Sequence, residues 1–172
     1  MKKIDFRSFR GFILIEPVMV VAATFMLIAY PLTQPSREEA RQTTCVSNQK
    51  QIALATIMYA YENDETLPIV DDSIWANIDI KGKILTCPSN RKDRSFSYAY
   101  NKNLSDVPLN KIDIPTDIAL TADSDREDSK MTEFSDIALR HRMDETTAAI
   151  VSFVDGHVAW QDEYDVEYIL FK

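Results

Sequence analysis

An α+β fold is predicted: a long apolar N-terminal helix continues into an amphipathic helix, which packs on a small antiparallel β-sheet. Three stretches carry that prediction. Pro17 to Ser36 is a run of 20 residues without a charge. Arg37 to about Glu62 repeats apolar residues at helical spacing. Near the C-terminus Asp155-Gly156 stands between two β-rich runs, as in a tight hairpin.

The first element begins with a leader. Met1 to Gly11 carries Lys2, Lys3, Arg7 and Arg10 against Asp5. Glu16 then opens a run holding Val18, Met19, Val20, Val21, Phe25, Met26, Leu27 and Ile28. About 20 apolar residues cross the core of a bilayer as a helix. A carboxylate is expensive there, about 2.5–3.5 kcal/mol at the bilayer centre and less near an interface, so Glu16 needs a reason. The basic leader predicts a cytoplasmic N-terminus and an exported remainder.

Gly11-Phe12-Ile13-Leu14-Ile15-Glu16 after a basic leader resembles the N-terminal processing signal of type IV pilins and pseudopilins, Gly-Phe-x-Leu-x-Glu before a hydrophobic helix. The resemblance implies cleavage between Gly11 and Phe12 by a prepilin peptidase and N-methylation of Phe12. Glycine leaves the backbone open to close approach by the peptidase. It also implies that Glu16 pairs with the N-terminal amine of a neighbouring subunit, which would make a buried carboxylate tolerable. The cut precedes the apolar helix, which therefore stays in the mature chain, unlike the core of a secretory signal peptide. The chain departs from the pattern at Ile13, where the family has threonine, and at Pro17, where it has an aliphatic residue.

Tyr30-Pro31-Leu32-Thr33-Gln34-Pro35 interrupts the first helix, because proline removes a backbone donor and clashes with the preceding turn. Ser36 and Glu39 have the spacing of a capping box, which starts the second helix. Ile52, Ala55 and Tyr59, with Ala53, Ile57 and Ala60, make its apolar face, while Arg37, Glu38, Glu39, Arg41 and Lys50 are expected on the wet side. Asn63 to Pro68 ends it.

Beyond the helix the period changes. Ile78, Ile80 and Ile84 around Lys81-Gly82-Lys83 predict short extended pieces joined by a turn. Thr86 to Asn90 is a loop. Phe96 to Tyr100 alternates aromatic and small residues, as a half-buried strand does, and Ile118 to Ala122 is a second strand. Asp123 to Glu133 is expected as an exposed charged loop. Ala149 to Val154 and His157 to Trp160 flank Asp155-Gly156, which predicts a two-residue type I′ turn with both turn residues at positive φ. The chain has three glycines, and Gly82 and Gly156 fall at turns.

The 172 residues carry a net charge of −8. Residues 37–172 hold 15 bases and 25 acids, which argues against nucleic acid, whose partners present a basic stripe. Cys45 and Cys87 suggest a disulfide if the domain is exported, contributing about 3–4 kcal/mol; two reduced, buried thiols are the alternative. No nucleophile–base pair, phosphate-binding loop or dinucleotide fingerprint occurs, so an enzyme is not expected. His141 and His157 with Asp155 lack the spacing of metal ligands. Asp123, Asp125 and Asp128 offer oxygen ligands on one segment, which lacks the glycine and bidentate glutamate of an EF-hand; it reads best as a solvated loop.

The remainder also carries a resemblance. Cys45 to Ile52, Met58-Tyr59, Leu67-Pro68, Cys87-Pro88-Ser89, Tyr98 to Asn101, Ile114-Pro115, Arg140-His141 and Asp155 to Val158 resemble pilin-like proteins with an H-X9-DG C-terminal motif. That motif places nine residues between its His and Asp-Gly; here 13 lie between His141 and Asp155. The resemblance implies a pilin-like fold with a cytoplasmic leader (1–11), a membrane and filament-core helix (12–35), an amphipathic helix (36–64) and an exported head (65–172). It implies a structural subunit or minor component of a type IV pilus or type II secretion pseudopilus. Its partners would be a prepilin peptidase, other pilin or pseudopilin subunits and a bacterial inner membrane. The head would face the periplasm or a filament surface. No cofactor is expected, although some pseudopilin heads hold Ca²⁺ in a C-terminal loop, for which the three aspartates are the candidates. The alternative is a membrane-anchored exported binding module that does not polymerise.

Overall fold

The computed structural model describes residues 17–26, 37–90, 92, 95–143 and 146–166. Gly11, Phe12, Glu16, Pro31, Pro35 and Ser36 lie outside the described residues. The chain divides into two compact units, Met1–Ser36 and Arg37–Lys172. In the first, residues 17–26 are helical, and Val18, Met19, Val20, Val21, Phe25 and Met26 are all exposed. Among the described residues no helix is long and apolar enough to cross a membrane.

The second unit is α+β. Its long helix, α1, spans Arg37–Glu62, as its sequence period predicts. Cys45, Asn48, Gln49, Ile52, Ala53, Thr56 and Ala60 are its buried residues, recurring at the three- and four-residue spacing of one helix face. Ala55, Ile57 and Tyr59, expected on that face, are only half-buried at its margin. The helix ends where Asp64 and Glu65 take positive φ (53° and 54°), while Asn63 Nδ2 donates to the Tyr59 carbonyl at 2.8 Å.

The short extended pieces expected around Lys81-Gly82-Lys83 are not strands. A short helix, α2 (Ile74–Asn77), buries Ile74 and Trp75, and a 3₁₀ turn covers Gly82–Leu85. Ile78 and Ile80 are buried, but the helical turn and positive φ of Asp79 put them there, not strand alternation.

The sheet has six strands: β1 (Tyr98–Asn101), β2 (Ala119–Asp123), β3 (Lys130–Met131), β4 (His141–Met143), β5 (Thr146–Phe153) and β6 (Val158–Asp162). A short helix, α3 (Glu163–Val166), follows. The sheet is mixed, not antiparallel throughout: β1 pairs parallel with β3, and the other pairs are antiparallel. Its centre is buried on both sides. One face meets α1 through Tyr98, Tyr100, Leu120 and Ile150. The other collects Ala99, Ala119, Ala122, Met131, Ala149, Val151 and Phe153. That explains the unbroken burial of β1 and β2, where a half-buried pattern is expected for Phe96 to Tyr100.

β5 organises the sheet. At Ala148 it pairs with both His141 of β4 and Asp162 of β6. At Ser152 it pairs with both Thr121 of β2 and Val158 of β6. A strand has only two edges, so β6 takes one, and β4 and β2 lie end to end along the other. The end of β2 and the start of β4 therefore meet beside Ile150.

The hairpin after β5 is present with a different turn. The Gly156 N–H donates to the Phe153 carbonyl at 2.9 Å, and the Phe153 N–H to the His157 carbonyl at 3.0 Å. The loop is therefore three residues, Val154 to Gly156, with positive φ at Gly156 (+85°). Asp155 keeps ordinary negative φ. This is the three-residue hairpin loop closed by a left-handed residue, not the two-residue type I′ form.

Candidate functional site

The break between β2 and β4 leaves the outward backbone of Ile150 without a ladder partner, and side chains supply one. Asp123 Oδ2 accepts the Ile150 N–H at 2.8 Å. Gln49 Nε2, from α1, donates to the Ile150 carbonyl at 3.2 Å. A β-bulge makes this geometry possible. The register shifts between Ala119 and Thr121, and an extra residue reverses which side of the sheet the following side chains face. Thr121 consequently reaches α1, where its hydroxyl donates to Gln49 Oε1, and Asp123 follows two residues later on the same side.

Asp123 is fully buried and central. His141 Nε2 lies 3.0 Å from Asp123 Oδ2 and 3.5 Å from Cys87 Sγ. Arg140 Nε is 3.7 Å from Asp123 Oδ1. The Trp160 ring meets His141 edge to face, with centroids 5.6 Å apart. Burial, then the negative charge of Asp123, pushes the Tyr98 hydroxyl well above the ordinary phenol range, while its hydrogen bond with Asn48 pulls the other way.

Cys45 and Cys87 form the disulfide, with Cα atoms 5.2 Å apart, tying α1 to the loop before β1. The ligand atoms of Cys45, Cys87 and His141 all lie within 4.8 Å of one another. This is not the relay of a nucleophilic triad. A triad uses the two ring nitrogens of its histidine separately, whereas here Nε2 faces both the sulfur and the carboxylate.

The structure separates the histidines. His141 joins Asp123 and the disulfide, whereas His157 pairs with Asp155, its own hairpin neighbour, at 2.6 Å and stacks on Phe153. Burial works against ionisation of Asp155, but the His157 N–H and ring hold its carboxyl below the usual range. Of the 13 residues between His141 and Asp155, the described ones other than Val154 belong to β4 and β5. Gly156 sits under α1: a Cβ there would lie 2.8 Å from Ile57 Cδ1, and Lys50 Nζ donates to its carbonyl.

The three aspartates proposed for calcium do not converge. Asp123 belongs to the buried site instead of an exposed loop. Asp125 meets Lys92 at 2.6 Å and Arg140 at 3.1 Å. Asp128 meets Arg126 at 3.0 Å, whose hydrogen bonds hold its carboxyl below the usual range. The segment expected as a loop also holds β3, with Met131 buried. Beside it Glu38, Ser89, Asn90, Lys92, Asp125, Arg140 and Arg142 line an open polar cleft.

Asp123 as the partner of His141 is the residue that sequence reasoning misses. The signal was its position directly after Ile118 to Ala122, which makes it the last residue of a buried strand.

Residues 34–72 match a family model described as a protein of unknown function, DUF1559. No curated protein and no solved structure matches the chain.

Proposed function

We propose that the chain is a pilin-like subunit, a structural or minor component of a type IV pilus or type II secretion pseudopilus. It is made as a precursor with residues 1–11 as its leader, cut at Gly11–Phe12, and assembled through its N-terminal helix. The observation that carries this reading is the helical segment 17–26, which turns Val18, Met19, Val20, Val21, Phe25 and Met26 outward. So much exposed apolar surface calls for lipid or other apolar helices. The family match at residues 34–72, to a family commonly associated with prepilin-signal proteins, supports it.

The mechanism follows from the residues. The basic leader and apolar run hold the precursor in the inner membrane, with the head exported. Cleavage creates an amine on Phe12, four residues before Glu16, and the Glu16 carboxylate pairs with that amine on a neighbouring subunit as the helices bundle. α1 carries the acidic head on the outside.

Glu16→Ala tests assembly. Cells carrying the variant should process the precursor but lose the sedimentable, crosslinkable assembly. An anchored binding module that does not polymerise would give the same fractionation with and without Glu16, and that result would refute the proposal.

A further inference from the structure

We propose that the reduced chain binds a divalent metal ion of the zinc type between Cys45, Cys87, His141 and Asp123. The disulfide and the metal site are then alternative states of the same cluster. In tetrahedral zinc sites, metal–sulfur and metal–nitrogen distances of about 2.3 and 2.0 Å put sulfur and nitrogen roughly 3.5 Å apart. Cys87 Sγ and His141 Nε2 are 3.5 Å apart. Asp123 Oδ2, 3.0 Å from the same nitrogen, is near the roughly 3.3 Å that a carboxylate ligand would need. The sulfurs must separate after reduction, and the Cα spacing of 5.2 Å allows this by side-chain rotation.

A second observation points to the same place. Among the described residues, Asp123 Oδ1, Arg140 Nε, Arg140 Nη1 and His141 Nδ1 are buried without a hydrogen-bond partner. Such groups are uncommon in native cores and mark sites that take an ion, a water or a redox role. Of these, Asp123 Oδ1 is the atom that can face a cation, as the second oxygen of the ligating carboxylate; the Arg140 nitrogens are donors, and His141 Nδ1 carries the ring proton when Nε2 binds a metal.

The chemistry balances. A dithiol reductant gives two electrons and two protons to the disulfide and leaves as its own disulfide, producing two thiols. Metal binding then releases both thiol protons to water, and His141 presents a bare Nε2 with its proton on Nδ1. Two thiolates and one carboxylate around a dication leave a charge of −1, which the Arg140 guanidinium beside Asp123 offsets. The oxidised cluster offers no thiolate and binds no metal. This inference does not depend on membrane assembly.

The test uses the full chain in detergent, reduced under oxygen-free conditions and titrated with Co²⁺, then with competing Zn²⁺. The proposal predicts a near-ultraviolet thiolate-to-cobalt band and the intense visible bands of four-coordinate cobalt, saturating at one equivalent. The unreduced chain must give neither; bands there would place the metal elsewhere and overturn the assignment. Cys45→Ser with Cys87→Ser must abolish the charge-transfer band. His141→Ala and Asp123→Asn should each weaken zinc binding at least about 10-fold, the least that loss of even an outer-shell partner costs. Asp123→Asn keeps an oxygen for the Ile150 N–H, and circular dichroism checks that each variant is folded. No charge-transfer band in the reduced wild-type chain would overturn the proposal. So would affinities unchanged in both variants, which would mean that the two cysteines act alone.

Discussion

Replacing Gly156 with alanine puts a methyl group 2.8 Å from Ile57 Cδ1, at a backbone φ of +85°. Two costs follow, and they can be separated. An L-residue in the left-handed region loses about 1–2 kcal/mol. The contact adds less than the about 1–3 kcal/mol of an overpacked core, because Cδ1 is the movable end of the Ile57 side chain. Ile57 is only half-buried, so its end gives way, and the expected loss is about 1–3 kcal/mol. Ile57→Val removes the offending methyl and alone costs at most about 0.5–1.5 kcal/mol. In the double variant the clash is gone and only the backbone cost remains, so the two changes should couple favourably by at most about 1 kcal/mol. Urea unfolding of residues 37–172 with the disulfide intact, followed by the fluorescence of Trp75 and Trp160, measures all four corners of the cycle. A Gly156→Ala loss below about 0.5 kcal/mol would refute the left-handed backbone at the turn, and an unfavourable coupling with Ile57→Val would refute its packing against α1.

Three further predictions use the same assay. Asp123→Ala, which removes the partner of His141, Arg140 and the Ile150 N–H, should cost about 3–5 kcal/mol; Asp123→Asn, which keeps one acceptor, should cost clearly less. Cys45→Ser with Cys87→Ser should cost about 3–4 kcal/mol through loop closure, read as a shift of the midpoint. Asp136 gives the pH test. Burial opposes its ionisation, but the Thr132 N–H and Arg126 hold its carboxyl below the usual range. A carboxyl depressed in the folded state adds stability above its unfolded pKa of about 3.9 and loses it as pH falls through the folded value. The gap between wild type and Asp136→Asn should therefore be full at pH 7 and close steadily below about pH 4; a gap that stays constant into acid would contradict the assignment.

The amphipathic helix was legible because its signal is local. A three- and four-residue period over Arg37 to Glu62 needs no partner to be read, and its end at Asn63 is marked by polar turn residues. The hairpin was legible for the same reason, although its turn type was not. Asp155-Gly156 fits either a two- or a three-residue loop, and the close contact with Ile57, 99 positions away in sequence, decides nothing until the helix is docked. The isoleucines at 78, 80 and 84 mislead because contact with the core, not strand alternation, is what they share.

Asp123 shows where sequence reasoning stops. Its own neighbourhood, Asp123-Ser124-Asp125-Arg126-Glu127-Asp128, has the composition of a solvated loop. Its role is set by two non-local facts: the bulge that turns it toward α1, and the end-to-end meeting of β2 and β4 that leaves Ile150 needing an acceptor. Asn48, Gln49 and Thr56 were hidden in the same way, since polar residues on a buried helix face are intelligible only once their sheet partners are known. That the carboxylate partner of His141 is Asp123 and not Asp155 needed the sheet.

Mass spectrometry of the mature N-terminus tests the claim that the chain is cut before Phe12. Purified from its native membrane, the protein should begin at Phe12 with a methylated amine, its leader removed at Gly11. A mature chain that still begins at Met1 would contradict the claim.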